Sequence, residues 1–103
     1  MTAIVEAKLK EVATVCAKRG VRRLALFGSG ARDHFRRGES DLDILVEFGP
    51  MVPTERAEAY FGLLEDLEAL FGVGVDLVES HAIRNPFFRQ EVDQTQVVLY
   101  EAA

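Results

Sequence analysis

Cys16 is the only cysteine in this 103-residue chain. An internal disulfide and a cysteine-built metal cage are therefore excluded. Its place in an apolar helical stripe makes Cys16 a core residue. No apolar run is long enough for a membrane span or a secretory signal, although 49% of the residues are hydrophobic. A cytoplasmic protein is the expectation. A surplus of positive charge is also missing, since the net charge is −5. That argues against a general nucleic-acid binder, which shows a basic face. It does not exclude a nucleotide, because a bound divalent cation reverses the local sign. His34 and His81 are the only histidines and have no metal-ligand company in sequence, so both read as surface or loop positions. There is no repeat, low-complexity tract or linker. The length predicts a single domain over residues 1–103 that can bury a core without staples.

What is present alternates between helix-like and strand-like segments. Ile4 to Arg19 reads as one amphipathic helix, with Val5, Leu9, Val12, Ala13 and Cys16 at helical spacing and Gly20 as its C-cap. Val21 to Phe27 is strand-like and breaks at Gly28-Ser29-Gly30. A short helix is expected over 31–36. Leu42 to Phe48 alternates: Leu42, Ile44, Val46 and Phe48 share one face, and Asp41, Asp43, Leu45 and Glu47 the other. A helix capped by Thr54 is expected to run to Phe71, burying Ala57, Tyr60, Phe61, Leu64, Leu67 and Phe71, with Gly72 and Gly74 ending it. Val75 to Glu79 is a third strand, Asn85-Pro86 opens a turn or helix to about Val92, and Val97 to Tyr100 is a last strand. This pattern predicts an α/β or α+β sheet domain with helices packed on it.

Three features carry chemistry. Gly28-Ser29 lies between a strand and a helix start, where exposed N–H groups and the serine hydroxyl suit a phosphate. An isolated Gly-Ser is more often an ordinary turn. Asp41 and Asp43 point to one face of a strand. At about 4 Å apart, two such charges repel by roughly 4 kcal/mol at an effective dielectric near 20. Either one is protonated, or a cation such as Mg²⁺ or Mn²⁺ bridges them. A charged, solvated strand end is the bland alternative. Asp76 interrupts the apolar run from Val73 to Val78. If its strand lies beside Asp41 and Asp43, three carboxylates could hold two metal ions and leave one oxygen to receive a proton. Otherwise it is an edge-strand acid facing water.

Taken in order, Gly28-Ser29-Gly30-Ala31-Arg32, then Ser40-Asp41-Leu42-Asp43-Ile44-Leu45-Val46, then Val75-Asp76-Leu77-Val78 resembles the polymerase-β-type nucleotidyltransferase superfamily. The short length resembles its minimal branch, the MntA-like antitoxins paired with HEPN toxins. The resemblance covers nearly the whole chain and implies a polymerase-β-like fold, a mixed sheet with helices packed on it. It implies that Asp41 and Asp43 bind metal. Asp76 would complete the metal set and help deprotonate the nucleophile. Gly28 and Ser29 would hold the nucleotide's phosphates. Arg32 would steady a phosphate or the turn, or pair structurally with Asp33 or Asp43. One departure stands out: Asp33 replaces the Gly of many relatives, which would weaken nucleotide binding unless its carboxylate points away.

The function implied is a Mg²⁺-dependent nucleotidyltransferase that transfers AMP from ATP to a tyrosine hydroxyl of a partner HEPN toxin, acting as its antitoxin. No acceptor-binding domain is visible in so short a sequence, so a second subunit would present the acceptor. A binding-only antitoxin and a catalytic subunit acting on a small molecule are the alternatives. Neither direct nucleic-acid binding nor membrane association is expected.

Overall fold

The computed structural model describes residues 1–32, 36, 38 and 40–103. A four-stranded mixed sheet lies at its centre, in the order β3-β2-β1-β4. The strands are β1 (Val21–Phe27), β2 (Leu42–Phe48), β3 (Val75–Glu79) and β4 (Val97–Glu101). β1 runs antiparallel to both β2 and β4, while β2 and β3 are parallel. Parallel neighbours need a long crossover, here supplied by the 19-residue helix α3 (Pro53–Phe71). The remaining helices are α1 (Ala3–Glu6), α2 (Leu9–Lys18) and α4 (Pro86–Thr95). No helix among the described residues is long and apolar enough to cross a membrane.

Strand alternation divides the core into two layers. Leu24, Leu26, Leu42, Ile44, Val46, Val75 and Leu77 face one way and pack with Val5, Val12, Cys16, Leu63, Leu67 and Phe71. Ala25, Phe27 and Leu45 face the other way, beneath Val92 of α4. The run Leu24-Ala25-Leu26-Phe27 is buried throughout because both faces of β1 are covered. Burial at Cys16 pushes its thiol pKa up to about 12, so it behaves as a small apolar side chain.

Three sequence expectations change here. The single helix over 4–19 is two helices. At Lys8 the backbone turns to φ −121°, and its amide bonds the Val5 carbonyl three residues back at 3.0 Å. The break carries Leu9 off the buried stripe, leaving it 38% exposed. Next, α3 is capped at Val52 with no side-chain bond and starts at Pro53, whose fixed φ and missing N–H suit the first helical position. Thr54 is therefore already inside the helix. Finally, the buried stripe of α3 is Ala59, Leu63, Leu67 and Phe71, whereas Phe61 is 66% exposed and Ala57 is exposed. The apolar arc of this helix is wider than the sheet can cover, and composition does not reveal which part of that arc wins. Two other expectations hold: Gly72 ends α3, in the left-handed conformation, and Asn85-Pro86 opens a helix, α4, which runs on to Thr95 and which the Asn85 side chain caps by accepting the amides of Phe87 and Phe88. Of the helix expected over 31–36, residues 33–35 lie outside the described residues, and Ala31 and Arg32 form a turn.

An ion pair helps set the rotation of α3. Arg19 Nε donates to Asp66 Oδ2 at 2.8 Å. This hydrogen bond, helped by the guanidinium charge and opposed by slight desolvation, holds the Asp66 pKa below its ordinary 3.8. A lowered folded-state pKa means stability that is present above the unfolded value and lost as pH falls through the folded one. Asp66→Asn should cost about 0.5–1 kcal/mol at neutral pH, as partly exposed pairs do. The gap to the parent should close as pH drops below that of the folded carboxylate, read by denaturant melts across the acid range. A constant gap would assign the effect to packing instead.

Candidate active site

The chemistry-bearing residues gather where β1 ends and β2 and β3 begin. β2 and β3 pair in register with Asp43 opposite Asp76 and Leu42 opposite Val75. Parallel neighbours in register project side chains on the same face, so both carboxylates share the face covered by α4. The register is pinned from both sides. Leu42 N–H donates to the Gly74 carbonyl at 2.9 Å. Glu68 accepts the Gly72 N–H on its carbonyl at 2.9 Å, and its Oε2 accepts the Val75 N–H at 3.0 Å. Glu68 thus clamps the turn that aims Asp76. Nothing in the sequence marks it, since an acid on a helix reads as solvated.

Asp41 lies one residue before β2 and is exposed, while Asp43 is half-buried inside it. Asp41 Oδ1 occupies the place where a side chain on Gly74 would begin, so a larger residue there would push this carboxylate aside. Asp76 is exposed. Burial raises the Asp43 pKa above the usual carboxylate range, and the charges of Asp76, Asp41 and, from α4, Glu91 raise it further. No arginine or lysine among the described residues pairs with any of the three aspartates. They do not form a closed cage, and no group of three His, Cys, Asp or Glu among the described residues is drawn close enough to hold an ion. The register therefore joins Asp43 and Asp76, and Asp41 stands at the rim.

The Gly28–Gly30 turn lies directly against this pair. Gly28 has φ +68°, which favours glycine. A Cβ there would stand 2.5 Å from Asp43 Oδ2. The turn is braced by Ala31 N–H to Gly28 O and Arg32 N–H to Ser29 O, both at 3.2 Å, and by Thr2 N–H to Gly30 O at 2.8 Å. No acceptor among the described residues takes the Ser29 N–H. Gly30 is buried against Leu26 and Leu42, so it serves packing. Arg32 is exposed, and no acid among the described residues pairs with it. Asp33 and His34 lie outside the described residues. His81 is exposed beside Glu79, at 3.4 Å, on the far end of β3.

Residues 9–98 match the nucleotidyltransferase domain family. The chain belongs to that family. Among relatives of this nucleotidyltransferase, a candidate protein adenylyltransferase of Methanocaldococcus jannaschii is 39% identical over 74 residues, covering 72% of each chain. A solved candidate minimal nucleotidyltransferase superposes with TM-score 0.69 at 34% identity, covering 89% of both chains. The fold is shared with a chain of the complex between the tri-AMPylated Shewanella oneidensis HEPN toxin and MNT antitoxin. There the TM-score is 0.64 and the identity 18%, covering 95% of this chain and 73% of that one. The mixed sheet with flanking helices expected from the sequence is the polymerase-β-like arrangement of these neighbours. The protein is an enzyme of the nucleotidyl-transferring kind, related to protein adenylyltransferases.

Proposed function

We propose that this nucleotidyltransferase moves AMP from ATP to a tyrosine hydroxyl of a HEPN-domain toxin and so acts as the toxin's antitoxin. The observation that carries the chemistry is the Asp43–Asp76 register beside the Gly28–Ser29 turn. It brings acids and phosphate donors to one end of the sheet. The toxin partner is supported by the shared fold with the AMPylated toxin–antitoxin complex.

Asp41, Asp43 and Asp76 would hold Mg²⁺, one ion or two. The donor set fits. All are hard oxygen ligands, and no cationic side chain among the described residues pairs with these aspartates to offset the like charges that, after burial, raise the Asp43 pKa. When bound, Mg²⁺ neutralises triphosphate charge and stabilises the entering and leaving oxygens. The rest is work by the chain itself. The Ser29 N–H and hydroxyl hold the outer phosphates, and Arg32 adds a charge-assisted contact. Asp76, on the exposed side, accepts the proton of the incoming hydroxyl. That oxygen bonds to the α-phosphorus as the bond to the β-phosphate's bridging oxygen breaks, and pyrophosphate leaves. Positioning and charge neutralisation supply most of the acceleration.

The test is intact-mass spectrometry of the co-expressed partner after incubation with ATP and Mg²⁺, with Asp41→Ala as control. An AMP-sized gain on a partner tyrosine, absent with the variant, is the expected result. A stable complex with no mass gain would replace this reading with neutralisation by binding alone. Pyrophosphate release without any partner would point to a small-molecule acceptor.

A further inference from the structure

Among the described residues, one side chain outside the aspartate set and the Gly-Ser turn forms a hydrogen bond with that turn. Thr95, the last residue of α4, accepts the Gly28 N–H on Oγ1 at 3.3 Å. The same hydroxyl donates to the Glu91 carbonyl at 3.0 Å. A threonine hydroxyl has one proton to give. With that proton committed to Glu91, Oγ1 can only accept, and what it accepts is the first amide of the turn. The two neighbouring amides of the turn therefore differ. The Gly28 N–H is taken by α4, and the Ser29 N–H has no acceptor among the described residues.

We infer that Thr95 is a positioning residue for phosphate binding: it holds the Gly28 amide so that the Ser29 amide and hydroxyl are the donors presented to the triphosphate. This rests on the reading of the Gly28–Ser29 turn as the phosphate site and goes beyond it, because it assigns a role to a residue distant in sequence. The geometry around Gly28 explains why a tether matters. Gly28 has a left-handed φ, and the side of it where a Cβ would project is filled by Asp43 Oδ2, so a shift of the turn changes its fit beside that carboxylate. The rest of α4 is fixed on the sheet by Val92 in the second core layer and by Phe88, whose ring meets Phe27 edge-on at 5.9 Å. Phe27 sits opposite Asp43 in the β1–β2 ladder. A helix anchored in this way can hold the turn in place through one hydroxyl.

The probe is AMP-PNP with Mg²⁺, titrated calorimetrically into the full chain. Thr95→Val keeps the shape and removes the acceptor. It should weaken binding by about three- to tenfold, the net worth of one neutral hydrogen bond. Thr95→Ser should restore binding, and in the transfer assay the valine variant should raise KM for ATP with little change in kcat. Ser29→Ala separates the two ideas. If it leaves binding unchanged and AMP-PNP does not move the Ser29 amide of the ¹⁵N-labelled parent, the phosphate-turn reading falls, and this inference with it. If it weakens binding while Thr95→Val does not, only the role of Thr95 falls. A serine variant that fails to restore binding would also overturn that role. Should the valine variant not fold, amide shifts of the ¹⁵N-labelled parent decide the matter. AMP-PNP should move the Ser29 amide strongly and leave the Gly28 amide protected from exchange before and after binding. A Gly28 amide protected only with nucleotide present would overturn the inference.

Discussion

Asp43→Asn is expected to abolish nucleotidyl transfer and at the same time raise the melting temperature of the metal-free protein. The two effects share one cause. Asp43 is half-buried, faces Asp76 across the β2–β3 ladder, and feels Asp41 and Glu91 as well. Its charged form is disfavoured in the fold, so the folded state carries a cost that the unfolded chain does not. The sign is opposite to that of Asp66. For a carboxylate whose pKa is raised by folding, the cost appears as pH climbs through the raised value and disappears below the ordinary one. Asparagine has nearly the same shape and no charge, and no hydrogen bond to the Asp43 side chain is seen among the described residues. Removing the repulsion should be worth about 1 kcal/mol, or roughly 4–8 °C in a domain of this size. Transfer should fall by about 10³-fold, as when a principal transition-state charge stabiliser is removed. Differential scanning fluorimetry without metal and a pyrophosphate-release assay read the two effects separately. An unchanged melting temperature would mean that the three carboxylates do not repel in solution. Retained transfer would remove Asp43 from the mechanism.

Gly28→Ala should lose both stability and activity, for two reasons that can be told apart. A β-carbon at φ +68° costs about 1–2 kcal/mol. It would also stand 2.5 Å from Asp43 Oδ2, so the turn or the carboxylate must move. Misplacing reacting groups by about 1 Å can cost about 10²-fold in rate. Gly38→Ala is the matching control. Its φ is +87°, but nothing among the described residues lies within 4 Å of the added carbon, so it bears the backbone strain without the collision with Asp43. The expected pattern is lower stability in both variants and a collapse of transfer in the first alone. Equal losses of activity would show that strain in the loop, not contact with Asp43, is what matters.

Much of the architecture could be read from the sequence. Residues 21–27 and 42–48 form strands with the bounds expected from their apolar runs. Both segments are short and bounded by glycine or charge; residues 42–48 carry the two-residue alternation of a strand, and residues 21–27 end in a short continuous apolar run that is buried on both faces. Helices were harder to read. The break at Lys8, the cap of α3 and its buried stripe all depend on what lies opposite. A helix with apolar residues around most of its circumference can be buried in several rotations. Phe61 and Leu63 are equally apolar, and it is the sheet, together with the Arg19–Asp66 pair, that buries Leu63 and leaves Phe61 exposed.

The candidate site divides the same way. By itself the sequence determined which residue types are available and in what order: a Gly-Ser turn after a buried strand, Asp41 and Asp43 two apart, and Asp76 alone in an apolar strand. Such local spacing fixes which side chains of a single strand share a face, because backbone geometry sets that period. Only the tertiary structure decided that Asp76 pairs with Asp43, because strand order and register come from packing and from clamps such as Glu68 on Val75. It also decided that Gly28 leans on Asp43 and that Thr95, 67 positions away along the chain, holds the Gly28 amide. Contacts between distant segments arise from burying both faces of one sheet, and no local pattern encodes them.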